Sequence, residues 1–285
     1  MSLINVVTDT FNILSLCSGI GGLELGVKLA ERDACTVCYV EIEAYNIEIL
    51  ATRMEEKSLD EAPIWSDLRT FDGKPWRGVV DCITAGYPCQ PFSVAGKQRG
   101  EDDPRHLWPE VCRVVGEVQP SVCFFENVGG HLRLGFEQVH DDLQAMGYQV
   151  KAGLFTAEEV GAPHRRERLF IMAYREGERG NRWLRESREV QGEARERVTA
   201  TSEGSSEKLG GVEYNGPSTI DVISSLPFPY GPNESWEGIP RKLEPSICRM
   251  DDGLAYRVDR LRTCGNAVVP LVAAHAWNTL KEKLQ

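Results

Sequence analysis

No run in these 285 residues is long and apolar enough to suggest a membrane span, although hydrophobic residues make up 41% of the chain. A span needs about 20 consecutive apolar residues, so a membrane protein is not expected. The N-terminus has no basic stretch followed by an apolar one, so no export signal is expected and the reading is of a cytoplasmic protein. Nine cysteines occur, but no second CxxC accompanies Cys35-Thr36-Val37-Cys38. A zinc ribbon needs two such pairs, so no metal is expected. The cysteines sit in apolar runs such as Val122-Cys123-Phe124-Phe125, as reduced, buried thiols do. Positive charge is also in deficit, with 32 Lys and Arg against 43 Asp and Glu, a net −11. That excludes a surface that is basic overall. Any nucleic-acid contact must rest on a local basic cleft, for which the Arg-rich stretch from His164 to Arg197 is the candidate.

What is present alternates between strand and helix. Asn12 to Leu16 reads as a strand, then a glycine turn, Ser18-Gly19-Ile20-Gly21-Gly22, then a helix over Leu23 to Ala30. Val37 to Val40 reads as a strand ending on Glu41, Val79 to Ala85 as another ending at Gly86-Tyr87-Pro88, and Val122 to Phe125 as a third followed by Glu126-Asn127. A helix over Phe136 to Met146, strands over Tyr148 to Leu154 and Leu169 to Ala173, and a last helix over Leu271 to Leu280 complete the pattern. This alternation predicts an α/β Rossmann-like sheet with helices on both faces. In such sheets ligands bind beyond the carboxyl ends of the strands, where all the polar residues just named fall. Arg175 to Glu207 reads as a solvated helix or flexible segment, and Leu209 to Pro245 as loops rich in Gly, Pro, Ser and Asn.

The glycine turn lets a ligand approach the backbone and face the amides of the following helix. It lacks the Lys-Ser/Thr of a phosphate-binding loop, so a nucleoside triphosphate is not expected. Glu41 stands where an acid binds ribose hydroxyls. Pro88-Cys89-Gln90-Pro91 holds a cysteine between two prolines in a loop leaving a buried strand, a setting for a presented nucleophile rather than a packed thiol. Glu126 follows an apolar strand, where burial raises a carboxyl and keeps it available as a proton donor. His164-Arg165-Arg166-Glu167-Arg168 supplies alternate-facing arginines at the start of a strand.

Taken in order, the glycine turn, Pro88-Cys89-Gln90, Glu126-Asn127-Val128, Arg166-Glu167-Arg168 and Gly265-Asn266-Ala267-Val268-Val269-Pro270 resemble the cytosine-5 DNA methyltransferase family across nearly the whole chain. The resemblance implies Cys89 as nucleophile, Glu126 as the acid at cytosine N3, and Arg166 and Arg168 as the paired arginines, with Arg166 holding the base and Glu126. It implies S-adenosyl-L-methionine as donor. Cys17, Ser18, Gly19, Ile20, Gly21, Gly22 and Leu23, with Glu41 and Ile42, would bind its methionine, ribose and adenine parts. Asp67 would accept the adenine amino group, with Leu68, Gly86, Leu107, Asn266 and Val268 completing the shell. Cys17 departs from the family's usual Phe, His164 from its Gln, and Ser66 from its Gly.

The implied architecture is a catalytic and cofactor-binding domain over 10–173, rejoined by 255–285, with a small, loop-rich target recognition domain over 174–254. The implied activity is methyl transfer to carbon 5 of a flipped cytosine in duplex DNA through a covalent Cys89–C6 intermediate. The implied setting is a monomer on double-stranded DNA in a bacterial cell or phage-infected host, alongside a cognate restriction endonuclease. Two alternatives share this frame. A tRNA cytosine-5 methyltransferase would carry a Cys-Phe-Thr signature between Ala173 and Met250, which is absent. A catalytically silent DNA-binding relative would have lost Cys89 or Glu126. A nicotinamide dehydrogenase would explain the glycine turn and Glu41, but neither the Pro-Cys-Gln loop nor the arginines.

Overall fold

Four strands with almost continuous apolar sequence build the centre of the molecule, because a parallel strand buried on both faces has no polar side to show. The computed structural model describes residues 10–88, 107–177, 263 and 265–284. Within them β1 (Phe11–Leu16), β2 (Ala34–Val40), β3 (Ile64–Trp65), β4 (Cys82–Ala85), β5 (Val122–Val128), β6 (Gln149–Phe155) and β7 (Arg168–Tyr174) form one seven-stranded sheet. Its order is β3-β2-β1-β4-β5-β7-β6. The first five strands in that order run parallel, and β7 lies antiparallel to both β5 and β6. The strand order reverses between β1 and β4, which opens the crevice where Rossmann-like sheets take ligands.

Helices cover both faces, so the fold is the expected α/β Rossmann-like one. On one face α3 (Trp108–Val118) presents Val111, Val114, Val115 and Val118, all fully buried, to Leu14, Ile83 and Phe125. α4 (Phe136–Ala145) adds Val139 and Leu143 to the same core. On the other face α5 (Pro270–Glu282) sets Trp277 edge-on against Phe124 and Phe11. Adjacent Phe124 and Phe125 therefore serve opposite layers, as strand alternation requires. α5 also packs on α1 (Gly22–Ala30) so closely that a Cβ at Gly26 would meet the Ala273 side chain and stand 2.7 Å from the Pro270 carbonyl oxygen. α2 (Ala44–Glu55) buries only Leu50, which joins Tyr39 and Leu59 in a small separate cluster.

Several elements differ from the sequence expectation. The strand expected over Val79 to Ala85 begins only at Cys82. The amides of Val79 and Val80 are taken by the Trp76 carbonyl in a turn, and Asp81 accepts from the Asn12 amide to set where pairing with β1 starts. Helices α2 and α3 come in addition to those foreseen. Cys35 and Cys38 are ordinary residues of β2. No helix among the described residues is long and apolar enough to cross a membrane. The chain divides into a unit of Met1–Arg182 with Pro245–Gln285 and a second unit, Trp183–Glu244. That second unit, and the expected recognition segment from residue 178 onward, lie outside the described residues, as do the expectations for Arg175 to Glu207 beyond Gly177 and for Leu209 to Pro245.

Candidate active site

At the carboxyl ends of β1, β2, β4 and β5 the polypeptide encloses a cavity of about 1140 Å³. The turn after β1 forms one wall. Cys17 takes a left-handed conformation at φ +49°, and Ser18 bridges strands by accepting from the Val40 amide at 3.2 Å while its own amide donates to the Val40 carbonyl at 3.1 Å. Arg53 of α2 donates to the Ile20 carbonyl and pins the turn from outside. α1 starts immediately afterwards, so its free amides and positive dipole end face the cavity.

Of the fifteen residues expected around a cofactor, fourteen line this cavity: Cys17, Ser18, Gly19, Ile20, Gly22, Leu23, Glu41, Ile42, Asp67, Leu68, Gly86, Leu107, Asn266 and Val268. Gly21 does not. It holds φ +82°, and a Cβ there would run into Leu59 at 2.5 Å, so this glycine serves the turn and its packing instead. Glu41, 6% exposed, accepts from the Gly19 amide at 2.6 Å and the Glu43 amide at 2.8 Å. Burial raises its carboxyl, and those amides pull it back down. Ile42 beside it is left 58% exposed, an apolar surface open to the cavity. Asp67 caps the short turn Leu68–Thr70 by accepting from the Arg69 amide at 3.0 Å. Arg113 of α3 secures the far side of that turn, donating to the Leu68 and Phe71 carbonyls at 2.8 and 2.9 Å.

The acid end of the cavity belongs to β5 and β7. Glu126, 7% exposed, pairs through Oε1 with Arg168 Nε at 3.0 Å. The strand register explains it: Val128 opposes Arg168 and Glu126 opposes Phe170, so Glu126 and Arg168 are diagonal neighbours on one face of the sheet. Burial pushes the Glu126 carboxyl up to about 7, against the pull of Arg168 and then Arg166. It is therefore poised to give or take a proton near neutral pH. Arg166 acts on Glu126 through its charge, second to Arg168, and its guanidinium is also anchored to the backbone. Arg166 lies before β7 at φ +35°, which turns its guanidinium to the Gly265 and Ala267 carbonyls at 2.9 and 2.5 Å. It ties the C-terminal segment carrying Asn266 to the sheet, and Arg168 makes the ion pair.

Gly86 joins the two halves. A Cβ there would stand 3.7 Å from Glu126 Oε2 and 3.8 Å from the Cys17 carbonyl oxygen, so the acid and the glycine turn converge within one side chain's reach. Next to it the Asn127 amide group donates to the Tyr87 carbonyl at 3.0 Å, and the Tyr87 hydroxyl meets His131 Nε2 at 3.1 Å. These contacts fix the backbone that leads through Pro88 to Cys89, which itself lies outside the described residues. Burial pushes the Cys17 thiol up to about 12, which removes it as a competing nucleophile. Sequence reasoning missed Glu24, Tyr87 and His131, all of which line the cavity.

The profile of a family described as C-5 cytosine-specific DNA methylase matches residues 11–218. The type II methyltransferase M.NgoMIV of Neisseria gonorrhoeae is 34% identical over 167 residues, covering 57% of this chain and 51% of that protein. The type II methyltransferase M.BspRI of Lysinibacillus sphaericus is 30% identical over 192 residues, covering 59% and 45%. The chain thus spans about half the length of these relatives. A crystal structure of the S. pombe Dnmt2 methyltransferase, 26% identical, aligns with a TM-score of 0.49 over 59% of this chain and 52% of that one.

Proposed function

The chain belongs to the C-5 cytosine-specific DNA methylase family, and we propose from this that it transfers a methyl group from S-adenosylmethionine to carbon 5 of a cytosine flipped out of duplex DNA. The observation that carries the reading is Glu126: a buried carboxyl held near neutrality, clasped by Arg168, at the edge of a cavity whose other wall is a glycine turn.

The lining fits such a donor. The amides at the start of α1 suit a carboxylate, Glu41 suits ribose hydroxyls, and Ile42 and Leu68 offer apolar faces to a base. When bound, the donor supplies an electrophilic methyl group. Carbon 5 of cytosine is a poor nucleophile, and the protein's residues meet that difficulty. Cys89, as thiolate, forms a bond to carbon 6 while Glu126 gives its proton to nitrogen 3, and the ring electrons move to carbon 5. Arg168 holds Glu126 in place and supplies positive charge at the base. Once carbon 5 is alkylated, its proton passes to solvent and the electrons of that C–H bond restore the bond between carbons 5 and 6. The bond to Cys89 breaks to release the thiolate, and nitrogen 3 returns its proton to Glu126. A target inside the helix is out of reach, so the base leaves the stack at a cost of a few kcal/mol.

In this reading the segment 174–254 carries sequence recognition. The blocks for chemistry and donor binding flank it, and its arginines can position phosphates or read guanine edges. The protein acts on double-stranded DNA as a monomer, alongside a restriction endonuclease of the same specificity.

The test is a trap. In 5-fluorocytosine the fluorine cannot leave as a proton, so the covalent intermediate accumulates. The full chain, given S-adenosylmethionine and a random-sequence duplex pool containing 5-fluorocytosine, should form a denaturant-stable adduct mapping to Cys89. Cys89→Ser should form none. Absence of an adduct with the natural chain, or its mapping elsewhere, overturns the mechanism.

A further inference from the structure

One buried acid at the cavity has no part in the chemistry above. Glu24 is the third residue of α1 and 1% exposed, yet it lines the cavity. Its Oε1 accepts from the Ser15 hydroxyl of β1 at 2.5 Å and from the Thr84 hydroxyl of β4 at 2.8 Å. It therefore bridges the two strands between which the sheet order reverses. The Ser15 hydroxyl oxygen also lies 2.7 Å from the Ser18 hydroxyl of the glycine turn, which connects Glu24 to the wall of the cavity. Oε2 is fully enclosed and accepts no hydrogen bond among the described residues.

A buried carboxylate oxygen without a partner is expensive and calls for a reason. A helix-start buttress does not supply one. Gln would keep both hydroxyl contacts at Oε1 without burying an acid. Among the described residues the groups acting on Glu24 are the hydroxyls of Ser15 and Thr84, its own backbone amide and, at longer range, the Glu41 carboxyl, and none of these is a cation. What the described residues do not supply to Glu24 is a positive charge.

We propose that Glu24 is the buried counter-charge for the ammonium group of the donor's methionine tail, and so a specificity-determining residue for donors that carry that group. The inference rests on the donor site proposed above. The donor brings an ammonium on its tail and enters a cavity walled by Ser18 and Glu24. In so enclosed a setting the attraction acts through the cavity wall with little screening. Burial raises the Glu24 carboxyl, with Glu41 adding to the rise and the Ser15 and Thr84 hydroxyls opposing it. A cation at the cavity would favour the ionised form that burial disfavours.

The experiment is calorimetric titration of the full chain with two probes, S-adenosylhomocysteine, which carries the amino-acid tail, and 5′-methylthioadenosine, which lacks it. Glu24→Gln should weaken S-adenosylhomocysteine about tenfold or more, the size of a lost charge-assisted contact, and leave methylthioadenosine unchanged. Equal weakening of both probes, or of neither, makes Glu24 a buttress and overturns the proposal. If the natural chain binds neither probe, the donor site itself is wrong and the proposal falls with it. Should Glu24→Gln fail to fold, Glu24→Asp retracts the carboxylate by one methylene and should reduce the preference between the probes by a smaller factor. An unchanged preference in that variant overturns the proposal equally.

Discussion

Replacing Glu126 by Gln should remove a pH-dependent instability that the site imposes on the fold. Burial pushes this carboxyl from an ordinary 4.5 to about 7, with the pull of Arg168 already inside that figure. Below about 4.5 the folded and unfolded states both hold the proton, and the group makes no difference. Between about 4.5 and 7 the unfolded chain ionises while the folded protein keeps its proton, so unfolding becomes easier as pH rises. Above 7 both states are ionised, and the accumulated loss, about 3.5 kcal/mol at roughly 1.4 kcal/mol per pH unit, stays constant. Gln has nearly the same shape, never ionises, and can still offer a carbonyl oxygen to Arg168. Other buried acids such as Glu24 and Glu41 shift stability in the same direction, so the readout is the difference between the two proteins. Urea unfolding of natural chain and variant from about pH 5 to about pH 8 should show the variant gaining roughly 2–3 kcal/mol relative to the natural chain. Parallel curves would refute the assignment of a buried, proton-holding carboxyl at this position.

Gly26→Ala should destabilise the fold by about 1–3 kcal/mol, because the new methyl meets Ala273 and the Pro270 carbonyl where α1 crosses α5; thermal unfolding measures it, and an unchanged midpoint would mean the helices can part freely. Exchanging residues 174–254 for the corresponding segment of a relative with another target should transfer that target; base-resolved sequencing of modified DNA reads the outcome, and an active chimera that keeps the original target would place recognition elsewhere.

Much of the site was legible because its residues sit at strand ends, where short apolar runs announce β1 and β5 and the glycine turn and Glu126 follow directly. α3 carries its buried residues at helical spacing, at 108, 111, 114, 115 and 118, and that stripe was there to be read. α2 buries a single residue and offers no stripe. The division of labour between the arginines was not legible. Arg166 and Arg168 are two residues apart and would share a strand face, but Arg166 lies outside β7 in a left-handed conformation that redirects it. Glu24 was hidden for a related reason. A charge in an amphipathic helix is ordinarily solvated, and only the three-dimensional meeting of β1, β4 and α1 turns this one inward.

The most direct test of the central claim is the identity of the methylated nucleoside. DNA from a methylation-free bacterial host expressing the full chain, digested to nucleosides and resolved by mass spectrometry, should contain 5-methyldeoxycytidine, and the Cys89→Ser chain should leave none. Methyl groups found on an exocyclic amino group of cytosine or adenine, or 5-methyldeoxycytidine persisting with Cys89→Ser, would contradict the account.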